Sequence, residues 1–171
     1  MSSLALSHDA ADRLRLWGPT AVLALAAVYV LATWGSYIRV VDDLNLIVHE
    51  AGHWFFGFFG DFVTALGGTL MQLILPAVFV WSAFRYDNRL GTQVSLLWFG
   101  QSAVNVSVYA ADAQERALPL IGGLGETAHD WWWILLRLGW LQHDDLVAAG
   151  FVALAVSAFV LMVLTPRWMP Q

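Results

Sequence analysis

A chain of 171 residues that is 59% hydrophobic and only 12% charged, with a mean hydropathy of +0.64, has too little polar surface to cover a water-soluble domain of its size. That composition excludes an ordinary soluble fold and points to an integral membrane protein. The net charge is −5 and the eight basic residues are arginines set singly or in pairs, so no basic stripe is available for nucleic acid; with no cysteine, any metal must be held by histidine and carboxylate.

Residues 1 to 16 carry His8, Asp9, Asp12, Arg13 and Arg15 and read as a short polar lead-in, with the two arginines favouring a cytoplasmic N-terminus. From Trp17 to Ile38 the chain is apolar for about the length of a membrane span. Because Trp34-Gly35-Ser36-Tyr37 runs straight into Arg39 with no small-residue cleavage pattern, this span reads as a retained helix rather than a signal peptide. Asp42 and Asp43 open a second helix, where first-turn carboxylates suit the helix dipole. It reaches about Phe59 and is short for a full span.

That second helix contains Leu46-Ile47-Val48-His49-Glu50-Ala51-Gly52-His53-Trp54-Phe55-Phe56, the H-E-x-x-H arrangement. Four residues apart on a helix, His49 and His53 share a face and can both reach one Zn²⁺, while Glu50 beside them can take a proton from an activated water. Ionisable groups among Leu, Ile, Val, Trp and Phe are costly to keep, and in an apolar setting they mark functional sites.

Gly60-Asp61 breaks the chain, Phe62 to Gly68 reads as a short extended segment ending at a glycine pair, and Thr69 to Phe84 forms a third membrane helix that carries Gln72 and Pro76. Arg85 to Arg89 is a polar turn, followed by a fourth helix from Leu90 to Asp112. In it Gln101, Asn105 and Asp112, spaced by four and seven, fall on one face and form a polar stripe that must face the bundle interior or a wet cavity. A two-histidine site requires a third protein ligand, and Asp112 is the expected one, with Asn105 and Gln101 lining the same cavity. His129 and Asp130 are its rivals, their other reading being a polar pair at a helix N-terminus.

Residues 117 to 130 include Pro119 and Gly122-Gly123-Leu124-Gly125, too glycine-rich for a helix and without the Lys-Ser/Thr of a phosphate loop. His129-Asp130-Trp131-Trp132-Trp133 opens a short amphipathic helix reaching about Leu141, with tryptophans suited to a membrane interface. His143-Asp144-Asp145 is a solvated turn. Leu146 to Leu164 is the last membrane helix, ended by Pro166 and anchored by Arg167 and Trp168. The expected architecture is an all-α, polytopic membrane bundle of five to six helices, one domain over residues 1–171, with a short extended segment after the metal helix.

Taken together, His49-Glu50-Ala51-Gly52-His53, Gly67-Gly68-Thr69-Leu70-Met71-Gln72, Asn105 and Asp112 resemble the site-2 protease family of intramembrane zinc metallopeptidases. The likeness is closer to its small bacterial, site-2-protease-like branch, in which Tyr109-Ala110-Ala111-Asp112-Ala113, Leu118-Pro119-Leu120 and His129-Asp130-Trp131 also have counterparts; it covers residues 44 to 141. The resemblance implies His49, His53 and Asp112 as zinc ligands, Glu50 as general base, and Asn105 as a group that orients substrate or stabilises the developing oxyanion. It also implies that Phe62 to Gly68 is a membrane-embedded strand able to pair with an unwound peptide, that the partners are a membrane-protein or peptide substrate and the lipid bilayer, and that the location is a bacterial inner membrane. Ala111-Asp112-Ala113 stands where larger members have Leu-Asp-Gly, and no soluble substrate-selecting module is present. A non-proteolytic membrane protein that keeps the metal site for binding, sensing or partner assembly is the alternative, and metal or proton transport along the Gln101, Asn105 and Asp112 stripe is a third.

Overall fold

The computed structural model describes residues 3–119 and 128–169, with the backbone alone for residues 3–10; the glycine-rich stretch Gly122 to Gly125 lies outside the described residues. Six α-helices follow one another: α1 (Ser3–Ala32), α2 (Arg39–Phe56), α3 (Asp61–Arg85), α4 (Arg89–Ala111), α5 (Asp130–Leu138) and α6 (Asp144–Trp168), with single 3₁₀ turns at Gly57–Phe59 and Leu141–His143. The described residues contain no strand. Three segments are long and apolar enough to cross a membrane: Ala11–Ala32, Asp61–Arg85 and Leu141–Trp168, with mean hydropathies of 1.6, 1.8 and 2.7.

Several boundaries move from their expected places. The polar lead-in is itself helical and continuous with the first apolar run, and that helix ends at Ala32, ahead of Gly35 at φ 83°. Phe62 to Gly68, expected to be extended, is instead the first part of α3. The glycine pair there serves close packing against α2 rather than chain termination. A Cβ on Gly67 would stand 2.8 Å from the carbonyl oxygen of Gly52, and one on Gly52 would stand 2.2 Å from the oxygen of Gly67. The two backbones therefore touch, and only residues without side chains permit it.

α4 is the axial helix. Ala103 and Val104 pack with Ala27 and Val30 of α1 and with Ala155, Ala158, Phe159 and Met162 of α6 to form one apolar cluster. A second cluster joins Val106 and Ala110 to Trp131, Ile134 and Leu135 of α5 and to Ala148 of α6. Alanine predominates in both clusters, so the helices approach closely and dispersion contacts are dense. Asp144, expected in a solvated turn, is buried: its carboxylate accepts from the Gln114 backbone and side-chain nitrogens at 3.1 and 2.7 Å, tying the end of α4 to the start of α6.

The distribution of side chains is inverted relative to a soluble domain. Asn45, Gln72, Gln93, Gln101, Ser102 and Ser107 are buried, while Ile47, Trp54, Phe58, Phe79 and Trp81 are exposed. Apolar surface on this scale requires a non-aqueous phase or a partner to cover it.

Candidate metal centre

The centre is assembled where α2, α3, α4 and the start of α5 meet. On α2 the buried residues are Asp42, Asn45, Val48, His49 and Gly52, a spacing of three and four that draws one stripe down one helical face. His53 continues the stripe, and its ring meets that of His49 edge-on with centroids 4.8 Å apart. α5 then brings in Asp130. Its Oδ2 lies 3.0 Å from His49 Nε2 and 3.2 Å from His53 Nε2, and the three ligand atoms lie within 4.8 Å of one another.

The opposite nitrogens of both rings face acceptors. His53 Nδ1 is 2.8 Å from the backbone oxygen of Thr64, and His49 Nδ1 is 3.2 Å from Gln72 Oε1. Each Nδ1 therefore carries its hydrogen outward to a carbonyl, and each Nε2 is the nitrogen left to meet the carboxylate, as an N–H donor or as a metal ligand. A proton or a metal ion between these groups satisfies all three. In tetrahedral coordination at about 2.0–2.1 Å, ligand atoms sit about 3.3 Å apart, close to the two nitrogen–oxygen distances seen here. The donor set of two imidazoles, each oriented by a carbonyl, plus one carboxylate thus fits a divalent metal. The chamber is also tight on one side, since a Cβ on Gly68 would come within 2.4 Å of His49 Nε2.

Asp130 is itself held. Its backbone N–H donates to the Tyr109 hydroxyl at 2.9 Å, and that hydroxyl donates back to Asp130 Oδ2 at 3.3 Å. Gln72 Nε2 donates to Asn105 Oδ1 at 2.7 Å, and Asn105 Nδ2 donates to Asp42 Oδ1 at 3.0 Å. Gln101 reaches the same Asp42 oxygen at 2.6 Å.

A cavity of about 620 Å³ opens beside these groups, lined by His49, Glu50, His53, Asn105, Tyr109 and Asp130 among others. Glu50 is exposed on its wall. The connection from α1 to α2 forms another wall and is pinned at both ends: Trp34 Nε1 donates to Ser107 Oγ at 2.8 Å, and Tyr37 donates to Asp43 Oδ1 at 2.5 Å. The Asp43 carboxylate holds the Tyr37 phenol up at about 12, so it remains a donor throughout the neutral range.

Of the expected site residues, His49, His53, Glu50 and Asn105 share this cavity, whereas Asp112 does not stand at the histidine pair. α4 ends at Ala111, so the seven-residue spacing from Asn105 runs past the helix and loses its meaning as a face. Asp112 accepts instead from the Ala117 and Leu118 backbone nitrogens at 2.9 and 3.0 Å, and its Oδ2 lies 3.3 Å from His129 Nε2. The carboxylate beside the histidines is Asp130, one of the two rivals named from the sequence. Asp42, read there as a first-turn charge, is 4% exposed and central to the polar network. The signal for it was present: positions 42, 45, 49 and 53 follow the helical period. No family model, no curated protein and no solved structure matches the chain.

Proposed function

We propose that the protein is an intramembrane zinc metallopeptidase of the site-2-protease type, with His49, His53 and Asp130 as ligands and Glu50 as general base. One observation carries this reading: two imidazole Nε2 atoms and a carboxylate converge on one point at the wall of a cavity that also holds a free-standing carboxylate. The three apolar segments and the outward-facing Trp and Phe side chains support placement in a bilayer. Three protein ligands of N and O type, with room on the cavity side, suit Zn²⁺ in a catalytic rather than a structural role.

A bound zinc ion supplies Lewis acidity, lowering the pKa of water and polarising a carbonyl. Glu50, on the cavity wall next to His49, takes the proton from the attacking water and delivers it to the departing amine. Asn105 spends one amide hydrogen on Asp42 and its oxygen on Gln72, which leaves the second hydrogen for a substrate carbonyl. Because no strand edge borders this cavity among the described residues, the peptide is held by side chains and by its fit to the cavity. A peptide bond becomes accessible only once the substrate helix is unwound, so substrates are membrane segments containing glycine or proline.

The test pairs zinc analysis with cleavage for wild type and Glu50→Gln, using liposomes that carry transmembrane segments interrupted by glycine and proline. About one zinc per chain in both proteins, with cleavage by wild type alone, is expected. Equal cleavage by Glu50→Gln would overturn the general-base role, and absence of zinc from wild type would overturn the metal site. Zinc without cleavage of any segment would leave a metal-binding membrane protein of non-proteolytic function.

A further inference from the structure

Resting on the metal site proposed above, we infer that Asp42 is a positioning residue that orients His49 for the metal from three side chains away. Asp42 is buried and accepts hydrogen bonds at both oxygens. Its Oδ2 takes the Ile38 backbone N–H at 2.5 Å, and its Oδ1 takes Gln101 Nε2 and Asn105 Nδ2. Facing Asp42 with its nitrogen, Asn105 must turn Oδ1 to Gln72, which donates Nε2 to it. Gln72 then has only Oε1 left for His49 Nδ1. An acceptor at that position requires the hydrogen on Nδ1 and makes Nε2, which faces Asp130, the nitrogen available to a metal ion. Free histidine favours the opposite tautomer, so the relay works against the intrinsic preference of the ring.

A second arm enters Asp42 with the same polarity. Trp98 Nε1, which can only donate, gives its hydrogen to Asn45 Oδ1 at 3.1 Å, and Ser102 Oγ donates to that oxygen as well. Asn45 Nδ2 therefore donates to Gln101 Oε1 at 2.6 Å, and Gln101 Nε2 is directed at Asp42. Both arms need an acceptor at their junction, and a carboxylate provides one without ambiguity. His53 lies outside this logic, because its Nδ1 is held by the backbone oxygen of Thr64. It is the internal control.

The experiment compares wild type, Asp42→Leu, Asp42→Asn and Gln72→Met as full-length chains in detergent. Zinc affinity is measured by competition with a chromophoric chelator, and the zinc-loaded proteins, labelled with ¹⁵N-histidine, are read by NMR at each ring nitrogen. Asp42→Leu and Gln72→Met should bind zinc about 10–100-fold more weakly, the loss typical of a group that orients a metal ligand. In both, the His49 Nδ1–H signal should shift or disappear while that of His53 stays. Asp42→Asn keeps one acceptor oxygen on which Gln101 and Asn105 can still converge but loses the bond from Ile38 N–H, so affinity and the His49 signal should recover well above those of Asp42→Leu. Unchanged affinity in Gln72→Met, equal disturbance of His49 and His53, or an Asp42→Asn protein that binds zinc no better than Asp42→Leu would each overturn the relay. If Asp42→Leu does not fold, Gln72→Met and Asp42→Asn decide the question. Zinc absent from wild type would remove the metal site and the relay with it, whereas zinc bound to wild type with none of these differences would remove the relay alone.

Discussion

Among the described residues, two histidine–aspartate arrangements have nearly the same separation, and they are built for opposite ends. His49 and His53 approach Asp130 at 3.0 and 3.2 Å; His129 approaches Asp112 at 3.3 Å. The difference lies on the far side of each ring. Carbonyl oxygens face Nδ1 of His49 and His53, so Nε2 is the nitrogen each ring offers to a metal ion or to Asp130. At His129 it is the Trp132 backbone N–H that points at Nδ1, so this nitrogen is the acceptor and Nε2 bears the hydrogen. Asp112 is further committed to two backbone N–H groups, whereas Asp130 Oδ2 faces both imidazoles and the Tyr109 hydroxyl. One arrangement could hold a metal ion, and the other is a latch between the start of α5 and the turn after α4. What a histidine can do at Nε2 is decided by what meets its Nδ1.

The sharpest way to break this comparison is to remove each carboxylate in turn. Asp130→Ala should reduce zinc from about one per chain to background, while Asp112→Ala should keep the stoichiometry and lose stability by roughly 1–3 kcal/mol, chiefly through the part-buried Leu118 N–H, since the exposed Ala117 N–H can turn to water. Elemental analysis beside thermal unfolding in detergent separates the two. Zinc lost from Asp112→Ala and retained by Asp130→Ala would reverse the assignment. Gly68→Ala comes next. Its new Cβ would press within 2.4 Å of His49 Nε2, so zinc binding should weaken more than tenfold, and overpacking should cost about 1–3 kcal/mol. Retention of wild-type zinc affinity would show that the ring can retreat.

The all-helical character, with segments long and apolar enough to cross a membrane, and the histidine pair were legible in the sequence because both depend on short-range periodicity. A spacing of four needs only a helix. Asp112 misled for the same reason: its spacing from Asn105 is meaningful only while the helix lasts, and the helix ends one residue earlier, at Ala111. Asp130 could be named as a rival but not preferred, because its approach depends on how the chain returns between α4 and α5. Phe62 to Gly68 shows a different limit. A glycine pair looks like a helix breaker until the neighbouring helix is known to press against it, and here Gly52 does so. Asp144 looked solvated because Gln114, the group that satisfies it, is thirty residues away.

Tyr109→Phe tests how much of the ligand geometry comes from outside the three ligands. The hydroxyl both accepts from the Asp130 backbone and donates to its carboxylate, so its removal frees Asp130 in two respects. Zinc affinity should fall about tenfold, within the range for groups that orient metal ligands, and stability by about 1 kcal/mol. Chelator competition gives the first value and thermal unfolding the second. A loss as complete as that of Asp130→Ala would mean that Tyr109 sits among the ligands rather than behind them.

The smallest expected effect is the most discriminating for the latch. His129 caps α5 by accepting from Trp132 N–H, a role that asparagine performs well at a helix start. His129→Asn therefore keeps the cap while deleting the imidazole and its approach to Asp112. Zinc affinity should stay within about threefold of wild type, less than the tenfold that marks the loss of a group orienting a metal ligand. His129→Ala loses the cap as well and should cost about 1 kcal/mol, loosening the turn from which Asp130 projects. Stability would then separate the two variants while zinc stoichiometry would not. Zinc lost from His129→Asn despite an intact α5 would place His129 among the ligands, and the contrast between a ring with a carbonyl at Nδ1 and a ring with an N–H at Nδ1 would no longer explain which pair binds the metal.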